Sequence, residues 1–366
     1  MATLKDLPIV LLIEILSRLP AQSLLQFKSV CKLWYALIND PAIFSLQDKC
    51  IYINRRIIIG FQLYTYIPSI IKFSHTPDRS ISILDVNNPS SDFRKNTIHG
   101  HSQGLVCLLY DRDIFLFNMM TEKFRKLPSS ILHNEDPYEM FDSLTSGVGF
   151  GYDSKSGDFK VVRVVQFPDE EGAYNLLPLR VEIWELRKER WREIESPNFR
   201  YLMITGGCEM HHEGKSYWWS RNTKGNIIRT FDMSEEIFGK IPVPNNLVEE
   251  DVMLNPNISM RMLNGSIVVF HGSNAGNEKT FSVWEMEKDV FSWSKLMTIG
   301  PFFGVEKPLL FVSSDELLME ADEGQVISYH VKTHVTKVLP IKGRPRVFAN
   351  TYFDFSYGPP PPPLPM

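Results

Sequence analysis

Residues 100–104 read Gly100-His101-Ser102-Gln103-Gly104, a complete G-x-S-x-G. In a serine hydrolase that spacing lets two glycines hold a nucleophilic hydroxyl at the tip of a strained turn leading from a strand into a helix. Here the pattern is followed by "LVCLLY", then Asp111-Arg112-Asp113, then "IFLFN", two apolar runs joined by a turn. That context predicts a β-hairpin. The segment before it, "NPSSDFRKNTI", is a poor buried strand. Acids and histidines do occur downstream, at Asp142, Asp153, His211 and His271, but nothing in their spacing ties them to Ser102. The glycines are therefore read as permitting a tight turn, and no catalytic residue is assigned.

"GVGFG", Gly147 to Gly151, has the look of a phosphate-binding loop. The sequence after it opens a hairpin, "YDSKSGDFKVVRVV", so its amides would have no helix dipole behind them. His99 with His101, and His211 with His212, are local sets that could suggest a metal. Neither has a carboxylate or cysteine at zinc-site spacing, and both are read as exposed loop pairs. Cys31, Cys50, Cys107 and Cys208 are too far apart for a metal site and too few for a disulfide framework in 366 residues. Reduced thiols in an intracellular protein, with no metal and no cofactor, are the expectation.

Composition narrows the classes further. Hydrophobic residues make up 43% and charged residues 22%, an ordinary soluble balance. A net charge of −4 gives no general attraction to nucleic acid. The opening "MATLKDLPIVLLIEILSRLP" is broken by Glu14 and Arg18 and has no cleavage site, and no stretch approaches the ~20 apolar residues that cross a bilayer. The cytoplasm, the nucleus or both are the expected locations.

The chain divides by period. Up to residue 47 the pattern is helical. Pro8 suits a first helical turn, and Ile9, Leu12, Ile13 and Leu16 lie at i, i+3, i+4, i+7. Val10, Leu11, Ile15 and Leu19 are apolar too, leaving Glu14, Ser17 and Arg18 as the main wet stripe before Pro20 ends the helix. A short helix over 21–27 and a longer one over 28–39 are expected next, the latter presenting Val30, Cys31, Trp34, Tyr35 and Ile38. Three short helices cannot hide that much apolar surface on one another. The rest of the chain or a partner protein must cover the remainder, and a partner is the expectation.

Past residue 50 the runs are short, β-branched and aromatic, as in "FKVVRVVQF", "LRVEIWEL", "KSYWWS" and "GSIVVFHG". Turn signals separate them at 154–157, Glu213-Gly214 and Asn264-Gly265. A unit of strand, turn, aromatic, apolar residue and often proline recurs about every 45 to 70 residues, near the spacing of propeller blades. Its aromatics, Phe124, Trp191, Phe238 and Trp293, are expected to pack between blades. The chain closes on "GPPPPPLPM", read as a solvated polyproline II tail over 358–366 that an aromatic groove could take but that needs no partner.

Leu7-Pro8, Ile15-Leu16, Arg18-Leu19-Pro20, Leu24-Leu25, Phe27-Lys28, Val30-Cys31-Lys32 and Trp34 together resemble the F-box, over residues 4 to about 47. One departure is Ile9-Val10, where an acid commonly follows the Leu-Pro. "GHSQGLVCL", "GFGYDSKSGDFKVVRVV" and "VEIWELRKERWREIE" resemble the F-box-associated, kelch-like domain of plant F-box proteins, a group whose architecture the S-locus F-box proteins share. The resemblance implies an α+β multidomain chain: a small three-helix F-box module over 1–47, a linker and first strands over 48–98, an all-β kelch-like propeller over 99–357, and the tail. It implies a non-catalytic substrate receptor of a Skp–cullin–F-box ubiquitin ligase. The module would dock on a Skp-type adaptor, and through it cullin, by Leu7, Pro8, Ile15, Leu16, Leu19, Pro20, Leu24 and Trp34. Some of these must also form the module's core. The propeller would hold a protein client, with loops 168–178 and 245–251 as candidate contacts. An interaction scaffold acting without cullin, or a hydrolase working in a propeller channel, are the alternatives.

Overall fold

The computed structural model describes residues 8–17, 26–38, 55–61, 68–74, 81–85, 96–102, 105–110, 113–118, 123–132, 144–166, 168–169, 172–176, 179–195, 203–204, 210–222, 224–250, 257–275, 278–287, 290–339 and 347–354. Two helices lie at the N-terminal end, α1 (Ile9–Ser17) and α2 (Lys32–Ile38). Among the described residues all other regular structure is antiparallel strand, apart from the helical residues 26–27 and two single 3-10 turns.

Six sheets of four or five strands and one two-stranded hairpin make up the described β region. Blade 1 joins the two ends of the chain: Val347–Asp354 lies innermost and Arg55–Phe61, Pro68–Ser74 and Ile81–Asp85 follow outward. The other five blades are each built from one continuous stretch of chain, interrupted in blade 3 by a separate two-stranded hairpin. Blade 2 holds Asn96–Ser102, Leu105–Tyr110, Asp113–Asn118 and Lys123–Lys126. Blade 3 holds Leu144–Asp153, Asp158–Gln166, Arg180–Glu185 and Arg190–Ile194. Blade 4 holds Met203–Ile204 and Met210–His212, then Lys215–Asn222, Gly225–Asp232 and Ile237–Pro242. Blade 5 holds Ile258–Leu263, Ser266–Ala275, Glu278–Glu287 and Ser292–Phe303. Blade 6 holds Val305–Phe311, Glu316–Ala321, Val326–His330 and Val335–Val338. Inner strands of blades 1 to 4 run alongside one another in turn, as do those of blades 5 and 6; blades 4 and 5 join through their packed faces, and the inner strand of blade 6 lies beside Val347–Asp354, so the ring closes on blade 1. The fold is an all-β propeller.

The core lies between blades, as a propeller requires. Leu105, Cys107 and Leu116 of blade 2 meet Val148, Phe150 and Trp184 of blade 3. Val162, Val164 and Val181 of blade 3 meet Trp218 and Phe231 of blade 4. Trp219 and Ile228 of blade 4 meet Met260 and Val269 of blade 5, and Phe270 and Phe281 of blade 5 meet Phe311 and Met319 of blade 6. Because side chains alternate along each strand, one sheet supplies two interfaces, and both its faces read as apolar.

The recurring aromatics divide. Trp191 and Trp293 pack against the preceding blade and also clamp it, each donating its indole N–H to the carbonyl of a proline at the end of that blade's outer strand: Pro128 at 2.8 Å and Pro242 at 2.6 Å. Phe238 packs at the junction of blades 3 and 4. Phe124 lies against Phe117 of its own blade, the ring centroids 4.6 Å apart.

The glycines of "GVGFG" lie on the inner strand of blade 3, and their role is close approach. A Cβ on Gly149 would stand 2.6 Å from the Ser216 hydroxyl and 2.7 Å from the Trp218 ring, and Trp218 donates its indole N–H to the Val148 carbonyl at 3.1 Å. Trp218 is fully buried and has nowhere to move. Gly149→Ala is expected to destabilise the protein by about 1–3 kcal/mol through overpacking, read by chemical denaturation.

Candidate functional site

Two surfaces can hold another molecule: the helical module, and the end of the propeller that carries its long loops. In the module, the Pro8 carbonyl accepts the first helical bonds from Leu11 and Leu12, at 2.9 and 3.2 Å. Leu12 and Leu16 of α1 and Leu37 of α2 are buried against Ile13, Phe27 and Trp34, with the Phe27 and Trp34 rings edge to face at 5.2 Å. The third helix starts at Lys32, later than the expected 28. Residues 28–30 form a turn instead, in which the Ser29 amide and hydroxyl donate to the Gln26 carbonyl and Val30 N–H to that of Phe27. Ser29 thus satisfies the carbonyl end of the preceding turn.

This separates roles that the sequence left merged. Leu16 is 0% exposed and belongs to the module's own core, as does half-buried Trp34. Pro8 is exposed and Ile15 is 44% exposed. Leu7, Leu19, Pro20 and Leu24 lie outside the described residues, as do residues 21–25 of the expected second helix. Val10 at 69%, Ile9 at 51% and Leu11 at 46% join Ile15 on α1, while Val30, Leu33 and Tyr35 are exposed on and before α2. The wheel pattern carried this signal: α1 is apolar on more sides than Leu12, Ile13 and Leu16 need.

In the propeller the sequence decoys resolve. Ser102 pairs with Leu105 across the first hairpin of blade 2, a strand-to-strand connection, and no helix follows it. Both histidine sets correct their expectation, since they lie on inner strands and not in exposed loops. His99 is buried, and His101 and His211 come together where blades 2 and 4 approach across Gly151, whose missing side chain leaves room for the His211 ring. Period-2 alternation through glycines hid these positions. Desolvation, then the charge of the neighbouring His211, holds His101 at about 3, and desolvation, then His212, holds His211 at about 3. Their folded values lie below the unfolded value near 6.5, so the unfolded chain binds more protons between these limits. The stability these neutral rings contribute is complete above pH ~6.5 and is lost as pH falls toward 3. The melting temperature is expected to fall between pH 7 and pH 5, and the fall to shrink in His211→Gln. Among the described residues no group of three or more His, Cys, Asp or Glu is placed to hold a metal ion.

The two ends of the propeller differ. First-to-second and third-to-fourth strand connections share one end, and they are tight: Glu213-Gly214 and Asn264-Gly265 have positive φ at both positions, the type I′ turns expected from sequence. At the other end lie the second-to-third connections and the links between blades, including 167–179 and 243–257. Both loops singled out from sequence, 168–178 and 245–251, are therefore on one end. The first carries a short hairpin, Pro168–Asp169 with Gly172–Leu176. The described part of the second is held rigidly by Asn226, which donates its side-chain amide to the carbonyls of Leu247 at 2.6 Å and Glu250 at 2.7 Å and its backbone N–H to Val248 at 2.7 Å. Arg56 pairs with Asp354, so the chain joins blade 1 and leaves it at the tight-turn end, away from these loops.

Of the four cysteines, Cys31 and Cys107 are described and both are free thiols; no described helix is long and apolar enough to cross a membrane. Comparison with known proteins agrees with this architecture. The F-box domain pattern matches residues 4–46 and the F-box associated beta propeller domain matches residues 57–359. Among curated relatives, the chain is 26% identical to F-box protein CPR1 of Arabidopsis thaliana, over 94% of this chain and 86% of that one. It is also 26% identical to the F-box/kelch-repeat protein At3g23880 of the same plant, over 87% of this chain and 86% of that one. A helical module with an uncovered apolar surface, joined to a closed propeller, thus carries both domain signatures in order, and the chain belongs to the F-box proteins with an F-box associated beta propeller domain.

Proposed function

We propose that this protein is the substrate-recognition subunit of a Skp–cullin–F-box ubiquitin ligase, a receptor with no catalytic step of its own. The observation that carries the reading is the exposed face of α1 and the turn before α2. Ile9, Val10, Leu11, Ile15 and Val30 stand open on a module whose own core needs only Leu12, Leu16 and Leu37 with their three half-buried neighbours. Covering such side chains is worth about 1.5–3 kcal/mol each when they go from fully exposed to fully buried. A Skp-type adaptor is the partner an F-box implies. Of the adaptor contacts read from sequence, Pro8 and Ile15 belong to this surface; Leu16 and Trp34 support it from beneath.

The receptor's work is positioning. Tethering a client beside the ubiquitin-charged enzyme replaces an encounter in solution by a local one at raised effective concentration. Attachment of the module at the tight-turn end leaves the long-loop end free for the client. The test is the affinity of the full chain for a plant Skp-type adaptor, measured beside a chain lacking residues 1–47. Binding that disappears with the truncation, while the propeller keeps its melting transition, is the expected result. Equal binding by both would place the adaptor contact elsewhere.

A further inference from the structure

Blade 5 is taller than its neighbours. Its outer three strands run 10, 10 and 12 residues, against 6, 5 and 4 in blade 6. The surplus is all at the long-loop end: the inner strand starts at Ile258, paired with His271, and the second strand continues to Ala275. Residues 272–275, 278–281 and 299–303 therefore overhang the ring, and four residues past His271 rise about 13 Å.

One side of this overhang is already used. Phe270, Phe281, Ile299 and Phe302 pack toward blade 6, and Lys279 on that side is bound to Glu306 at 3.0 Å. By alternation the opposite side presents His271, Ser273, Glu278 and Thr280, consistent with the 2.8 Å hydrogen bond between the Ser273 and Thr280 hydroxyls. Phe303 pairs with Glu278 and follows inward-packed Phe302, so it joins the same side; it is 70% exposed. Blade 4 offers no sheet opposite, because its strands stop at Asn222 and Gly225. What stands at the base is the rigid loop after Pro244, tied to the overhang by Glu250 on His271 at 2.9 Å.

An aromatic ring held on a sheet edge, with the Gly304 carbonyl accepting from Asp322 N–H just after it, is a fixed anchor that loses little freedom on binding. Glu278 and exposed Glu249 have no ion pair among the described residues, whereas Arg221 of blade 4 already donates to the Glu250 carbonyl and Lys224 is engaged. We propose that the blade 4 side of this overhang is the client-docking wall, and that it takes an extended cationic segment of a protein. An aliphatic or aromatic side chain would pack on Phe303, a neighbouring lysine or arginine would meet Glu278, and a second cation further along the segment would reach toward Glu249. This rests on the receptor reading above.

The test uses the full-length chain and a bead-bound library of random octapeptides. Wild type selects peptides in which Lys or Arg neighbours Leu, Ile or Phe. Phe303→Ala, at an exposed position that leaves the fold intact, weakens the selected peptide about tenfold or more by fluorescence anisotropy. Glu278→Lys shifts selection from Lys and Arg to Asp and Glu. Selection of no sequence, or of peptides whose binding both substitutions leave unchanged, would overturn the proposal. Adaptor binding is measured on the same preparations: its retention would leave the receptor reading standing with the wall misplaced, and its absence in wild type would remove that reading instead.

Discussion

Lys160→Ala is expected to destabilise the propeller by about 3–5 kcal/mol, the cost of leaving buried carboxylates without their cation. Lys160 lies between blades 3 and 4 with a side chain 4% exposed, 2.8 Å from Asp153, itself 2% exposed, and 2.8 Å from Glu236 across the junction. It also donates to the Met233 carbonyl at 2.7 Å. Ser156 and Ser234 hydroxyls donate to the same Asp153, and Arg192 bridges Glu236 to Glu185, so the joint is an ionic network with its polar atoms satisfied. Although burial pushes the other way, hydrogen bonds from Lys160 and its neighbours hold the Asp153 carboxyl well below the usual range, and Arg192 and Lys160 hold Glu236 low in the same way. Folded values below unfolded ones mean stability that is present above the unfolded carboxylate pKa and lost as pH falls through the folded one. Lys160→Ala should therefore melt earlier than wild type at pH 7, and the gap should narrow below pH ~4, where the carboxylates it leaves without a cation take up protons. Urea denaturation at the two pH values checks both. Lys160→Met, which restores the stem but not the charge, is expected to be no better, since the orphaned carboxylates remain.

The second large effect separates surface from core in the module. Val10→Asp with Leu11→Asp puts two charges on positions 69% and 46% exposed, and is expected to weaken adaptor binding by at least a hundredfold while leaving the propeller's unfolding unchanged. Leu16→Ala, at 0% exposure, is expected to cost about 3 kcal/mol and to unfold so small a module, abolishing binding through its structure. Circular dichroism of the helical signal tells the two apart: it survives the double aspartate and falls with the alanine. Both losing the helical signal alike would mean that the exposed face is part of the fold and not a docking surface.

The sequence disclosed what local pattern controls. The i, i+3, i+4 spacing found α1, Asn264-Gly265 found its hairpin, and the strand runs found the blades. The F-box and propeller signatures rest on such contiguous segments. Closure was illegible, because Val347–Asp354 pairs with Arg55–Phe61 across nearly the whole chain and no local pattern reports so distant a partner. A further set of turns was hidden by residue type. Glu189, Glu236, Phe291 and His334 each precede a fourth strand with φ between 49° and 58°, where glycine or asparagine would have signalled a left-handed residue. In three of them the backbone N–H closes onto the carbonyl four residues back, at 2.8–2.9 Å, and the hairpin holds the conformation that propensity would not choose. The overhang of blade 5 was missed for a third reason: strand length is visible in sequence only when both partners are known. The hairpin after Ser102, by contrast, was legible because its neighbours spelled it out.

The account stands or falls on assembly. The most direct measurement is size-exclusion chromatography with light scattering on the purified full chain mixed with a Skp-type adaptor and a cullin. The account predicts one species with the mass of all three, reduced to separate components by the Val10, Leu11 double aspartate. A folded chain that elutes alone from that mixture would contradict it, and the propeller would then have to be understood as a scaffold working outside a ligase.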